Sequence, residues 1–488
     1  MVIESLKYKI LQQFGFAPTQ EQGQALDTFV SFLTDRDPQS VMILRGSAGT
    51  GKTSLSGAIV RTLLQIRQKV MLLAPTGRAA KVFSLGSGAP AYTIHRRIYR
   101  EKAFAGVDGQ FSLNDNLYTD TLFMVDEASM IANMGLGGTT FGSGCLLDDL
   151  VKFVYQGHND RLLLIGDKAQ LPPVGEEESP ALSASVMEGY GLKVYECDLN
   201  EVLRQSQSSG ILYNATLIRQ MITHDAVTGL PLIRFKGFAD IVMMPGAELV
   251  ESLGDSYHHV GMDETMVITR SNKRANIYNN GIRNMVLDRE EELSSGDMLM
   301  IVKNNYFWTE KEKKESGEGS AGAVPAFLAN GDRAKVLRVS NYIELYGFRF
   351  ATLLLQLPDY DDYEMQVTGM LDTLQSEAPA LTHEQQEELF RQVEEDYQHF
   401  APLKADRMKS IRQDAYFNAL QIKYAYAVTC HKAQGGQWAH VYVDQGYMTD
   451  DMLTPDYIHW LYTAFTRATD KLFLVNWPKE QTCEPTDL

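Results

Sequence analysis

Short, unbroken apolar runs recur along the chain, and each ends in a polar or glycine-rich turn. VMIL at 41–44 leads to Gly46, VMLL at 70–73 to Ala74-Pro75-Thr76-Gly77, LFMV at 122–125 to Asp126-Glu127, and LLLI at 162–165 to Gly166-Asp167. Runs without polar alternation are covered on both faces, as in parallel strands flanked by helices. The polar residues then fall at the carboxyl ends of the strands, where open α/β sheets hold ligands. The pattern returns at 266–269 (MVIT), 424–428 (YAYAV), 441–443 (VYV) and 472–475 (LFLV). The predicted fold class is α/β with two parallel-sheet domains, the second interrupted.

Composition locates the interruptions. Residues 84–120 are rich in glycine and aromatics, and Val107-Asp108-Gly109-Gln110 predicts a hairpin turn. MLMIV at 298–302 and AKVLRV at 334–339 predict strands of a small inserted β-barrel, and the polar stretch 309–323 predicts a mobile loop. Thr382 and Gln385 have capping-box spacing and open an acidic helix over 382–398, read as a solvated face. The glycine-rich stretch 135–144 reads as a flexible insertion. The predicted division is a first domain at 1–83 and 121–205 with a hairpin insertion at 84–120. A second domain follows at 206–295 and 412–488, with the barrel and its acidic helical extension at 296–411.

The 488 residues suffice for several cores, and 44% hydrophobic content is ordinary. A formal net charge of −17 excludes a global basic field, so any nucleic-acid site must be a local channel. Cys145, Cys197, Cys430 and Cys483 have neither metal-ligand nor disulfide-scaffold spacing, which fits a reducing compartment. No signal-peptide core and no membrane-length apolar run is present, so the expectation is a soluble cytoplasmic protein without a membrane partner.

Candidate chemistry begins at Gly46-Ser47-Ala48-Gly49-Thr50-Gly51-Lys52-Thr53, which matches GxxxxGK[ST] directly after a predicted strand. Backbone N–H groups of such a loop wrap a triphosphate, and the next helix turns its positive end to it. Lys52 is expected at the β- and γ-phosphates and the Thr53 hydroxyl on Mg²⁺. Asp126 at a strand end is expected to hold Mg²⁺, and Glu127 to orient and deprotonate water. In Gly166-Asp167-Lys168-Ala169-Gln170-Leu171-Pro172-Pro173-Val174 the prolines stiffen an extended segment, and Gln170 is long enough to sense a γ-phosphate or a positioned water.

In motif order the chain resembles the superfamily 1 helicases, specifically the RecD-like and Dda-like branch, superfamily 1B. Thr19-Gln20-Glu21-Gln22 resembles the motif whose last Gln reads adenine. Ala74 to Ala80 and Thr93-Ile94-His95 resemble strand-binding motifs. Leu199 to Gln205 resembles the motif carrying one catalytic arginine, Arg204. Val428 to Gly435 and Tyr462-Thr463-Ala464-Phe465-Thr466-Arg467-Ala468 close the series. The resemblance implies two RecA-like P-loop domains, a hairpin insertion in the first and an SH3-like barrel in the second.

It also implies ATP and Mg²⁺ as cofactors, with Gln22, residues Gly46 to Thr53 and Gln437 at the nucleotide. Position 437 is a departure, since the family usually has glutamate there. Arg204 and Arg467 are expected to approach the triphosphate across a cleft, where an arginine stabilises developing charge. Thr76, Arg78, Thr93, His95, Thr429, His431 and Lys432 are the expected track, suited to reading a backbone rather than a sequence. The implied partners are single-stranded DNA, single/double-strand junctions, and single-strand-binding or replication and repair proteins, with one chain forming a complete motor. The implied activity is ATP-driven 5′ to 3′ translocation and duplex separation. Phe104 or Phe111 is either the strand-separating wedge or a core aromatic of the hairpin. A protein-stripping translocase, an RNA-acting helicase and a non-motor nucleic-acid-binding subunit stay open.

Overall fold

A computed structural model describes residues 2–105, 108–135, 142–201, 208–223, 229–316, 324–325, 327–401 and 403–483. The first sheet begins with β1 (Ser40–Gly46), β2 (Lys69–Ala74) and β3 (Ala91–Thr93). A hairpin of β4 (Tyr99–Ala105) and β5 (Asp108–Leu113) interrupts it. It resumes with β6 (Thr121–Val125), β7 (Arg161–Gly166) and β8 (Lys193–Leu199). The six strands are parallel in the order β3-β2-β6-β7-β1-β8. β1, β6 and β7 are buried throughout, which explains their unbroken apolar runs. One face packs on Leu26, Phe29, Leu55, Leu63 and Phe83, and the other on Ile94, Leu147, Leu150 and Phe153. Because β7 lies between β1 and β6, the turns after these three strands are neighbours. They carry the phosphate loop, Asp126-Glu127 and Asp167.

The second sheet contains β9 (Ile241–Met244) and β10 (Thr265–Thr269) before the chain leaves it. The excursion is a closed barrel of β11 (Met298–Ile301), β12 (Arg333–Leu345), β13 (Phe348–Leu357), β14 (Tyr363–Met370) and β15 (Leu420–Tyr424). The chain returns as β16 (Ala427–Thr429), β17 (Trp438–Asp444) and β18 (Ala468–Val475), giving the parallel order β16-β10-β17-β18-β9. One apolar core runs from this sheet into the barrel. Among the described residues no helix is long and apolar enough to cross a membrane.

Several sequence expectations are corrected. The run 424–428 is not one strand: Tyr424 ends a barrel strand and Ala427 starts a sheet strand. The link between them is buried because the Tyr426 hydroxyl donates to Asp297 and accepts from Arg289 Nη1 and the Met298 N–H. Its apolar composition therefore imitates a strand. The strand that closes the barrel, β15, lies beyond the boundary at 411. The stretch expected as a loop from 309 is helical as far as Ser316, in the helix Phe307–Ser316. Trp308 anchors that helix by donating from Nε1 to the Asn418 carbonyl at 2.9 Å. In the hairpin Ala105 pairs with Asp108, so the connection is 106–107, outside the described residues, and Asp108-Gly109 is already strand. The glycine-rich segment falls mostly outside them too, at 136–141. The acidic extension is the capped helix His383–Gln398, which buries Leu389 and Val393 against Phe350 and Ile411 and so is solvated on one side only.

Candidate nucleotide and nucleic-acid sites

The phosphate loop is held by its own chain. Gly49 and Gly51 adopt φ of 77° and 79°, a left-handed backbone that side-chain-bearing residues rarely adopt. Thr50 Oγ1 donates to the Ser47 carbonyl at 2.8 Å, and the Ser47 N–H donates to Leu199 at 3.2 Å. Lys52, first residue of the helix Lys52–Gln65, lies back across the loop and donates to the carbonyls of Gly46 and Ser47. A Cβ at Gly46 would stand 2.8 Å from Lys52 Cγ, so only glycine permits this close approach. Thr53 is exposed in the first helical turn, and the Ser47 hydroxyl is buried without a partner among the described residues. Gln22 is buried, donates to the Thr50 carbonyl at 2.9 Å and accepts from the Thr19 N–H at 3.0 Å. It thus ties a helix N-terminus to the loop.

At the end of β6 the Glu127 N–H donates to Asp126 Oδ1 at 2.9 Å, with Glu127 at φ 52°. Burial, then the neighbouring Glu127 charge, raises the Asp126 carboxyl to about 7. A divalent cation would relieve both effects, so the pair and Thr53 suit Mg²⁺. Gln170 is buried and its Oε1 has no partner among the described residues, an acceptor beside the loop's neighbouring strand end.

The second sheet docks here through the helix Pro455–Phe465. Tyr462 accepts the Ala48 N–H at 3.0 Å and donates to Asp167 Oδ2 at 2.7 Å. Thr463 Oγ1 accepts the Leu171 N–H at 2.8 Å, His459 Nδ1 lies 2.9 Å from the Ala169 carbonyl, and Gln434 Nε2 donates to the Leu171 carbonyl at 2.7 Å. Sequence reasoning assigned only Arg467 in this motif; a hydroxyl inside an apolar helix carries no spacing signal of its own. Arg467 is 2% exposed and is folded on its own side, donating to the carbonyls of Thr463 and Gly436 and to Thr466 Oγ1. Arg204 lies in 202–207, outside the described residues.

The expected track residues divide. Thr76 and Thr93 are N-caps, their hydroxyls accepting from Ala79 and Arg96 N–H groups. Gly435 abuts both Thr76 and Ala79, so the two sheets meet at this cap. Arg78 is a brace between the sheets: it lies 4.4 Å over the Trp438 ring and donates to the Gln437 carbonyl at 2.6 Å. Burial, with nearby Arg333, lowers its guanidinium to about 10. The exposed Gln437 is thus placed beside Arg78. Burial lowers His95 to about 4, so it is a neutral ring against Tyr99 rather than a cation. Thr429 precedes the short helix Cys430–Ala433, His431 is exposed, and Lys432 reaches Asn330 on the barrel. Burial, then Lys423, lowers the Lys432 ammonium to about 8. Phe104 faces Gly109 in the strand pairing. Phe111 does not project as a free wedge: its ring is 4.7 Å from Tyr306, which stacks on Phe327 at 4.7 Å, both from the barrel excursion.

Two families match parts of the chain, the AAA domain over residues 17–229 and the UvrD-like helicase C-terminal domain over 424–475. The ATP-dependent RecD2 DNA helicase of Deinococcus radiodurans is 30% identical over 157 residues, 32% of this chain and 18% of that protein. The ATP-dependent DNA helicase Dda of Enterobacteria phage T4 is 25% identical over 267 residues, 53% of this chain and 55% of that protein. A Bacteroides Pif1 helicase structure aligns over 96% of this chain and 95% of its own, at 13% identity and TM-score 0.46. The chain spans less than two thirds of the length of the two curated relatives, RecD2 and Dda, and by these matches it is related to the superfamily 1 helicases, an ATP-hydrolysing P-loop family, on the side of the RecD2 and Dda branch.

Proposed function

We propose that this protein is an ATP-dependent DNA helicase that moves 5′ to 3′ on single-stranded DNA and opens duplex at junctions. The observation that carries it is the docking of the helix Pro455–Phe465 on the phosphate loop and on the segment after β7, through Tyr462, Thr463 and His459. Two sheets that meet over a triphosphate loop are a two-state element whose closure nucleotide can bias. The reading treats them as two RecA-like motor domains in one chain. The first spans 1–83 and 121–205, and the second 206–295 with the segment after the barrel, which extends to Tyr424.

In this mechanism Lys52 leaves the loop carbonyls for the phosphates, Thr53 and Asp126 would hold Mg²⁺, and Glu127 takes the proton of the attacking water. Bound there, the ion would supply neutralisation of the charge that develops on the phosphates. Gln170, whose oxygen has no partner among the described residues, orients that water. Arg467 swings from its own sheet into the cleft to stabilise the transition state, assisted by Arg204. Gln22 would contact adenine through its remaining amide N–H, and Gln437 would contact the nucleotide from beside Arg78. The strand runs past Thr76, Thr93, Thr429, His431 and Lys432, and the hairpin of β4 and β5 separates the duplex. The motor works as a monomer in the cytoplasm, alongside single-strand-binding and repair or replication proteins.

The test is unwinding of two labelled duplexes, one with a 5′ and one with a 3′ single-stranded tail, with Lys52→Ala as control. Opening of the 5′-tailed duplex alone, lost in the variant, is expected. Opening of the 3′-tailed duplex alone refutes the direction. Strong DNA-stimulated hydrolysis without opening of either refutes duplex separation and leaves a translocase that strips proteins.

A further inference from the structure

Tyr462 sits on the second sheet's helix, yet among the described residues its hydroxyl is bonded only to the first sheet's side of the cleft. It is 1% exposed, so bulk water does not replace a partner that leaves. Asp167 Oδ2, at 2.7 Å, is an acceptor when ionised, which fixes the direction of the phenolic proton. The oxygen's lone pairs are then turned to the Ala48 N–H at 3.0 Å. That amide belongs to the loop whose N–H groups cradle phosphate oxygens. It lies where β1 and its neighbour β7 end, four residues ahead of the helix that begins at Lys52.

We propose that Tyr462 is a positioning residue that occupies the phosphate loop: its hydroxyl stands where a terminal phosphate oxygen would accept the Ala48 N–H, and gives up that N–H when a triphosphate enters. The inference rests on the reading of the loop as an ATP site. Its consequence is mechanical. Thr463, the next residue, accepts from Leu171 and also offers its carbonyl to Arg467 Nε at 3.1 Å. Displacing the Tyr462 hydroxyl shifts the helix turn that holds Arg467, so arrival of the terminal phosphate and release of the arginine are one event. ADP, lacking that phosphate, leaves the hydroxyl in place.

Tyr462→Phe keeps the ring and deletes the competitor. Equilibrium binding of a fluorescent ATPγS and of a fluorescent ADP is measured without DNA, together with the KM and kcat of DNA-stimulated hydrolysis. One hydrogen bond corresponds to about a fivefold change in affinity. ATPγS is expected to bind about fivefold more tightly, ADP to change by less than about twofold, and kcat to fall while KM falls with it. Thr463→Val removes a docking bond on the same helix without touching the loop, and is expected to lower kcat with no gain in ATPγS affinity. Unchanged or weaker ATPγS binding by Tyr462→Phe, an equal gain for ADP, or the same gain in Thr463→Val overturns the proposal. If the wild type binds ATPγS but hydrolyses no ATP, the motor reading fails while the binding comparison still decides the role of Tyr462.

Discussion

Replacing Phe111 by alanine asks whether the hairpin works only when it leans on the barrel. Phe111 is on β5, and its ring lies 4.7 Å from that of Tyr306 at an interplanar angle of 35°. Tyr306 stacks in turn on Phe327 at 22°, so three rings join the first sheet's hairpin to the second sheet's insertion. An aromatic pair contributes about 0.5–1.5 kcal/mol beyond its buried area. Taking about 1 kcal/mol, the equilibrium constant for holding the hairpin against the barrel falls about fivefold when the pair is lost. If the held hairpin splits the duplex, unwinding at saturating ATP falls, by up to the same factor. ATP turnover on single strands is set at the strand ends of the sheet and is expected to change by less than about twofold. Phe111 also touches the core under the first sheet, so Phe111→Leu, which keeps apolar contact and loses ring stacking, serves as the control. The assay is a stopped-flow fork-unwinding trace beside phosphate release, completed as a double-mutant cycle with Tyr306→Ala. Equal losses of unwinding and ATP turnover, or strictly additive losses in the cycle, would falsify this account.

Three further outcomes follow from buried groups. Arg467→Ala removes a guanidinium from its bonds to Thr463, Gly436 and Thr466, and kcat for ATP is expected to fall by about 10³ or more, with single-strand affinity kept within a few-fold; a kcat within tenfold of wild type refutes the role. Burial raises the Asp332 carboxyl from 3.8 to about 7, so the native protein keeps a proton that the unfolded chain releases above about pH 4. Stability from this site therefore falls by about 1.4 kcal/mol per pH unit as pH rises toward 7, and levels off above it. Asp332→Asn is expected to cancel that slope in denaturant midpoints compared with wild type, and a parallel pH profile for the two proteins counts against it. Asp297 is 0% exposed and accepts from Arg283, Arg289, Tyr426 and the Ser294 N–H where the chain enters the barrel. Asp297→Ala strands the buried Arg283 charge and is expected to cost about 3–5 kcal/mol, read by chemical unfolding.

The amino-acid sequence by itself determined the strands β1, β2, β6, β7, β10, β17 and β18 and the polar residues that follow them. Strands covered on both faces must be apolar throughout, so 41–44, 122–125 and 162–165 announce themselves, and the phosphate-loop spacing and the Thr382–Gln385 capping box are local geometries written in local residues. The tertiary structure decided what depends on partners far along the chain. Residues 425–426 read as strand because burial, not pairing, made them apolar. Arg78 reads as a phosphate contact, but it is a brace because Trp438 and the Gln437 carbonyl stand over it. Phe111 reads as a wedge or a core ring, and it is a joint because Tyr306 meets it from the barrel. Tyr462 opens a motif legible in the sequence, but its role was not, since its partners Ala48 and Asp167 are both on the other sheet. Periodicity and motif spacing report what a residue needs from its near neighbours; the pairing of two surfaces hundreds of residues apart leaves no such period, and only the folded chain brings it about.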